Sequence, residues 1–217
     1  MSRLEGSPSE RIADQPILDG VIKFLPRSVS LRPPPFPTEL DNYRNSLREK
    51  GLIGVYPNGT GHGNVAILAE DGSLIVTATQ TQATKYLDQN GYALIPPEAD
   101  VDQEDVPYEG TQIPSSESRT LLAIARRRPL VTAVVHIHHQ EGQQRAIELG
   151  IVESAGRYGY GTIGFAHEAI DVVDRIDEDT GAFGTPSHPD GLFFYGRTID
   201  EAYQQTVEYI DRVTLSR

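Results

Sequence analysis

Cysteine is absent from the 217-residue chain. Disulfides and thiolate zinc sites are therefore excluded, and any metal must rest on His, Asp or Glu. Long apolar runs are absent too. None approaches the ~20 residues that span a bilayer, and the opening MSRLEGSPSERIAD has no apolar core of the kind a signal peptide needs. Basic residues are scarce: 19 Lys and Arg stand against 31 Asp and Glu, a formal charge of −12. That balance argues against a nucleic-acid groove or an anionic membrane as partner. It does not forbid an anionic substrate, because a metal and local dipoles reverse the field inside a cleft. The expectation is a soluble, cytoplasmic protein, of a length that suits one domain with a substantial core.

What is present is organised around Pro114–Gln140, PSSESRTLLAIARRRPLVTAVVHIHHQ. Leu121, Leu122, Ile124 and Ala125 give the apolar stripe of a helix over Ser118–Arg128. Arg126–Arg128 suit its last turn, and Pro129 stops it. Ser115, Ser116 and Glu117 place hydroxyls and a carboxylate at its start, where unpaired N–H groups attract anions. Leu130–Val135, apolar and β-branched, reads as a buried strand that delivers His136-Ile137-His138-His139. Alternate residues of a strand share a face, so His136 and His138 point together. Two imidazoles so spaced are a metal-ligand pair in want of a third partner. Two surface histidines at a strand end are the bland alternative, since H-x-H is short enough to arise by chance.

The flanking chain alternates strand and helix. Residues 1–37, rich in Ser, Arg and Pro, read as an arm or linker, with Ile17–Leu25 apolar enough to form a strand or pack on a neighbour. Residues 38–217 read as the domain. Thr38 is expected to cap a helix with Leu40, Tyr43 and Leu47 on its apolar face, ended by Gly51. Val55–Asn64 is a glycine-dense loop, either an anion nest or an ordinary turn. Val65–Leu68 and Ser73–Thr77 form a hairpin about Asp71-Gly72. One or two helical turns are expected over Thr84–Asp88, a strand over Tyr92–Ile95, and a solvated loop over the charge run Asp100–Glu109. Beyond the histidines follow a helix over Gln140–Leu149, a Gly-Tyr loop over Gly156–Gly164, and a short helix or strand over Ala166–Val173. An acidic turn, a rigid turn at Gly184–Gly191, the strand Leu192–Tyr195 and a last helix capped by Thr198 complete the chain. Such alternation implies an α/β sandwich with a mixed sheet.

Five motifs, in order, carry a resemblance. They are G-H-G-N (Gly61–Asn64), T-A-T-Q (Thr77–Gln80), P-S-S-E (Pro114–Glu117), V-V-H-I-H-H (Val134–His139) and H-P-D-G-L-F-F-Y-G-R-T-I-D-E-A-Y (His188–Tyr203). Together, over Leu40–Ile210, they resemble the class II aldolase and adducin family, in particular its fuculose-phosphate-aldolase-like members. The resemblance implies a three-layer α/β/α sandwich around a central mixed sheet. It also implies a homotetramer with active sites between subunits and a small-molecule substrate. His136 and His138 match the metal histidines, Glu117 the acid/base carboxylate beside the metal, and Gly63, Asn64, Ser115 and Ser116 the positions that hold the substrate phosphate in sugar-phosphate members. Zn²⁺ is the implied cofactor, with Mn²⁺, Co²⁺ or Fe²⁺ as alternatives.

The chain departs from that pattern twice. The family's third ligand is the His directly before the Gly that opens the strand; here Asp190 holds that slot and His188 lies two residues earlier. Either would reach the metal from extended chain. His188 is preferred because it completes a three-imidazole set; Asp190 would give two histidines and a carboxylate. His167 is a more distant candidate, read by default as a surface or hydrogen-bonded core histidine. Sugar-phosphate members carry T-P-S-G where this chain has Thr77–Gln80. Thr79 keeps a substrate-binding hydroxyl, but Gln80 adds bulk in place of glycine, so a carboxylate or a neutral sugar-like substrate fits as well as a phosphate. Tyr160 of the Gly-Tyr loop, or a tyrosine from an adjacent chain, would donate a proton at the far end of the substrate.

The resulting expectation is an aldolase-type lyase acting on a small hydroxycarbonyl or sugar-derived molecule through a metal-stabilised enediolate. A decarboxylase, epimerase or dehydratase on the same metal site, or a non-catalytic adducin-like module, are the alternatives.

Overall fold

A computed structural model describes residues 22–188 and 190–216. Among the described residues, nine strands form one sheet in the order β1-β7-β6-β5-β4-β8-β11-β10-β9. They are β1 (Leu25–Ser30), β4 (Asn64–Leu68), β5 (Leu74–Thr77), β6 (Tyr92–Ile95), β7 (Asp105–Glu109), β8 (Ala133–His138), β9 (Val152–Glu153), β10 (Gly181–Gly184) and β11 (Gly191–Gly196). A two-stranded flap, β2 (Gly54–Val55) with β3 (Gly61–His62), stands apart from it. The β1–β7 and β9–β10 pairs are parallel and the others antiparallel, so the sheet is mixed as expected.

Helices cover both faces. Helices α2 (Ser118–Arg127) and α4 (Ile163–Ile176) pack Leu121, Leu122, Ile124, Phe165, Ala169 and Val172 against Val76, Val134 and Phe193 of the sheet. Helices α1 (Thr38–Glu49) and α5 (Ile199–Leu215) bury Leu40, Leu47, Ala202, Tyr209 and Val213 against Val65, Val135, Ile137 and Phe194 on the other face. A short helix, α3 (Gln140–Gln144), follows β8. Strand β8 is thus sandwiched on both sides, which explains why it reads as a continuous apolar run. Its even residues Val134, His136 and His138 share the α2/α4 side. No helix among the described residues is long and apolar enough to cross a membrane.

Several expectations need correction. The charge run was expected to be solvated throughout, but Val106, Pro107 and Tyr108 are buried in β7. The acidic residues on either side of them mask a strand that pairs with β1 and β6. Helix α1 starts from Pro37 in the capping position, and Thr38 lies inside its first turn. Residues 84–88 are not helical. Arg44 of α1, itself buried, donates to the carbonyls of Thr81 (2.8 Å), Thr84 (2.6 Å) and Lys85 (3.2 Å), which holds that segment as a turn. A 3₁₀ turn forms instead at Gln89–Gly91. Helix α3 gives way to turns after Gln144, whereas Ala166–Val173 proves to be the middle of the longer α4. Strand β10, reading GAFG, carries no periodic signal, and its pairing with β11 makes it a strand. Of the expected arm, residues 25–30 join the sheet edge as β1, and residues 1–21 lie outside the described part.

Candidate metal centre

The three histidines converge at the end of β8. His136 lies opposite Asn64 of β4 and Phe193 of β11. Its buried ring stacks on Phe193, centroids 4.1 Å apart at 15°. Its Nδ1 lies 3.0 Å from the Leu192 carbonyl oxygen. That oxygen only accepts, so Nδ1 carries the proton and Nε2 keeps its lone pair. In His138, Nδ1 faces the Tyr56 hydroxyl at 2.5 Å and Asp190 Oδ1 at 3.3 Å, while Nε2 meets His136 Nε2 at 3.0 Å. Two lone pairs aimed at each other repel unless a proton or cation lies between them. Nitrogens ligating one tetrahedral Zn²⁺ at ~2.05 Å stand about 3.3 Å apart, close to what is seen.

His188 reaches the same place from the turn before β11, its ring T-shaped to His138 at 4.5 Å. One nitrogen from each of His136, His138 and His188 falls within a 4.8 Å group, and all three residues are buried. Glu117 stands beside them at the start of α2, with Oε1 3.6 Å from His136 Nε2 and 3.5 Å from His188 Nδ1. It is 2% exposed, and neither carboxylate oxygen has a hydrogen-bond partner among the described residues. A buried carboxylate without such partners is costly unless a cation joins it. The residues present therefore fit a divalent cation.

Asp190 lies behind His138, on the Nδ1 edge, where the Tyr56 hydroxyl donates to it. Burial alone would raise its carboxyl, but the hydrogen bonds from His138 and Tyr56 and the field of His138 hold it well below the ordinary range. His167 is half-buried and pairs with Asp102 at 2.6 Å, outside the three-histidine group. His139 caps α3, its Nδ1 accepting from the Gly142 N–H at 2.9 Å.

The remaining candidates line one small recess of about 20 Å³ with the histidines: Gly63, Asn64, Thr79, Ser115, Ser116, Glu117 and Tyr160. Gly63 has φ +76°, and a Cβ there would meet Ile53 Cγ1 at 2.8 Å and the His136 carbonyl at 3.1 Å, so only glycine suits the position. Asn64 Nδ2 donates to Ser115 Oγ at 3.0 Å, which ties β4 to the start of α2. Tyr160 stacks on His188, centroids 5.2 Å apart. At α2 itself the capping position is Glu117 without a side-chain cap bond; Ser118 Oγ donates to the Ser115 carbonyl instead.

Three further side chains reach the site without a local signal in the sequence, Tyr56, His62 and Gln82, and Gln80, which replaces the expected glycine, joins them. Gln80 sits at φ +59° and accepts from the Gly61 N–H at 3.3 Å through Oε1, and Gln82 Nε2 donates to the Gly63 carbonyl at 3.0 Å. Two-residue strands carry no periodicity, so nothing local announces that the flap brings Tyr56 and His62 to His138.

Burial pushes the His136 imidazole down to about 3, against the weaker raising pull of Glu117. The unfolded chain therefore takes up a proton near pH 6.5 that the folded chain refuses. This contribution is neutral above about pH 6.5 and destabilises progressively as pH falls toward 3. The melting temperature of metal-free protein is expected to drop between about pH 6.5 and pH 4, and to drop less in His136→Asn. Parallel slopes in the two proteins would remove the assignment.

Residues 57–214 match the family described as Class II Aldolase and Adducin N-terminal domain. None of the curated proteins matches the chain. Solved structures share the fold. YgbL from Escherichia coli, named as a candidate aldolase, epimerase or decarboxylase, superimposes with a TM-score of 0.59 at 22% identity, over 82% of this chain and 86% of that one. A sugar-phosphate aldolase from Thermotoga maritima gives 0.61 at 17% identity, covering 82% and 91%. The L-fuculose-1-phosphate aldolase from Thermus thermophilus gives 0.59 at 16%, covering 82% and 90%. At such identities the likeness is one of fold.

Proposed function

Because the chain belongs to the class II aldolase and adducin family, we propose that it is a metal-dependent aldolase-type lyase acting on a small hydroxycarbonyl compound. One observation carries this reading: a buried carboxylate, Glu117, without hydrogen-bond partners among the described residues, set 3.5–3.6 Å from two imidazoles of a three-histidine group. A purely structural module has no use for that costly arrangement.

His136, His138 and His188 would hold the cation, Zn²⁺ by preference, with Mn²⁺, Co²⁺ or Fe²⁺ compatible with the same donors. When bound, it supplies Lewis acidity that polarises a substrate carbonyl and stabilises the negative charge left when a neighbouring bond breaks. Glu117 takes up and returns the proton, since it is close to the reacting region and shielded from bulk water. Tyr160, at the recess wall, serves as the second proton donor. Gly63, Asn64, Thr79, Ser115 and Ser116 position the substrate with backbone, amide and hydroxyl groups. No Lys or Arg lines the recess among the described residues, and the Gly61 N–H already donates to Gln80. Both facts favour an unphosphorylated substrate, because a dianion needs cations or free N–H donors.

A decarboxylase, epimerase or dehydratase on the same residues is the second reading, since proton transfer beside a Lewis acid serves each. The test is a screen of unphosphorylated hydroxycarbonyl compounds and hydroxy acids with Zn²⁺-, Mn²⁺- or Co²⁺-loaded protein. Release of glycolaldehyde, lactaldehyde or pyruvate, lost in chelator and restored by metal, is expected. Release of CO₂ alone would favour the second reading. Protein that takes up no metal sinks both.

A further inference from the structure

The β2–β3 flap is tied to β8 twice. At its base, the His138 N–H donates to the Leu52 carbonyl at 3.1 Å, and Gly54 pairs with His62. At its turn, where the Gly59 N–H bonds the Tyr56 carbonyl at 2.9 Å, the Tyr56 hydroxyl is brought onto the side chains of β8 and its neighbour. That hydroxyl donates to the Asp190 carboxylate and lies 2.5 Å from His138 Nδ1, while Asp190 Oδ1 is 3.3 Å from the same nitrogen. His62 wedges the arrangement, its ring 4.5 Å from Tyr56 and 5.1 Å from His138. All of this chemistry falls on the Nδ1 edge of His138. The opposite edge, Nε2, is the one that meets His136.

We infer that Tyr56 and Asp190 form a positioning pair for His138, fixing the proton on Nδ1 and turning Nε2 into the histidine cluster, with Asp190 acting behind the ligand and not as one. An acceptor behind an imidazole fixes its tautomer, sets its ring angle and raises the basicity of the far nitrogen. The Asp190 carboxylate supplies that acceptor. Tyr56 donates to Asp190, so the carboxylate is held in one place. The short flap thereby takes part in the site although none of its residues belongs to the three-histidine group. Asp190 occupies the sequence slot of a ligand, yet its nearest imidazole contact is Nδ1 of a histidine whose other nitrogen faces the cluster.

The inference rests on the metal reading above, and the two fail separately. Wild-type protein, Tyr56→Phe, Asp190→Asn and the double variant are titrated with Zn²⁺ against a chromophoric chelator, and their Co²⁺ forms are recorded by visible absorption. Each single variant is expected to bind Zn²⁺ about 10- to 100-fold more weakly. The double variant should be no weaker than the worse single, because both residues act through one nitrogen. The Co²⁺ band should shift in both, a change at the ion itself that loss of packing alone would not produce. Unchanged affinity and spectrum in both variants overturn the pair. Abolished binding in Asp190→Asn with wild-type behaviour in Tyr56→Phe also overturns it, by making Asp190 a ligand. Wild-type protein that takes up no Zn²⁺ sinks the underlying metal reading itself.

Discussion

His136→Ala is expected to leave the protein folded but stripped of divalent metal, with lyase turnover lost alongside. The ring has no substitute: it is fully buried, clasped by Phe193 on one face and oriented by the Leu192 carbonyl. Losing a partner behind a ligand costs about 10- to 100-fold in metal affinity, so losing the ligand itself must cost more than that. Truncation also leaves the Leu192 oxygen without its donor and opens a cavity, worth about 1–3 kcal/mol of stability. These effects separate experimentally. Metal content by elemental analysis reports the ligand, while melting in chelator reports the packing. His167→Ala is the control, since that histidine pairs with Asp102 outside the three-histidine group and should leave metal content unchanged. Full metal occupancy in His136→Ala would end the account of the centre.

Much of this centre was legible because local periodicity and local chemistry coincide there. In β8 the two-residue alternation puts His136 beside His138, as found, but the strand runs over Ala133–His138, not Leu130–Val135, with Leu130 exposed in the turn before it. Glu117 was placed by the helix it precedes. His188 was harder, because its position depends on a turn and on β11 pairing antiparallel to β8. Counting along the chain puts Asp190 in the family's ligand slot, and His188 is preferred to it only as the third imidazole. The three-dimensional arrangement puts His188 in the three-histidine group and Asp190 on the Nδ1 edge of His138. Tyr56 and His62 were illegible for a related reason: a flap of two-residue strands has no pattern, and its contacts span 82 and 134 residues of chain. In the fold, β7 and β10 were missed where acidic residues or glycines diluted the apolar signal. Their strands are made by neighbours in the sheet, a tertiary effect that overrides local propensity.

Glu117→Gln separates holding the cation from moving the proton. The amide keeps the size and place of the carboxylate, so the three histidines are left undisturbed and metal content should stay close to wild type. What disappears is a group able to take up a proton, and turnover is expected to fall by about 10²- to 10⁴-fold. A third readout comes from burial. In the metal-free protein Glu117 is a buried carboxyl group without hydrogen-bond partners among the described residues, a state that costs stability. Replacing it by a neutral side chain should therefore raise the melting temperature in chelator, by the equivalent of about 1 kcal/mol or more. A merely structural Glu117 predicts the opposite pair of results, lower stability with activity intact. Metal retained, turnover lost and the metal-free fold strengthened is a combination that arises only if the carboxylate is kept in that buried place for its chemistry.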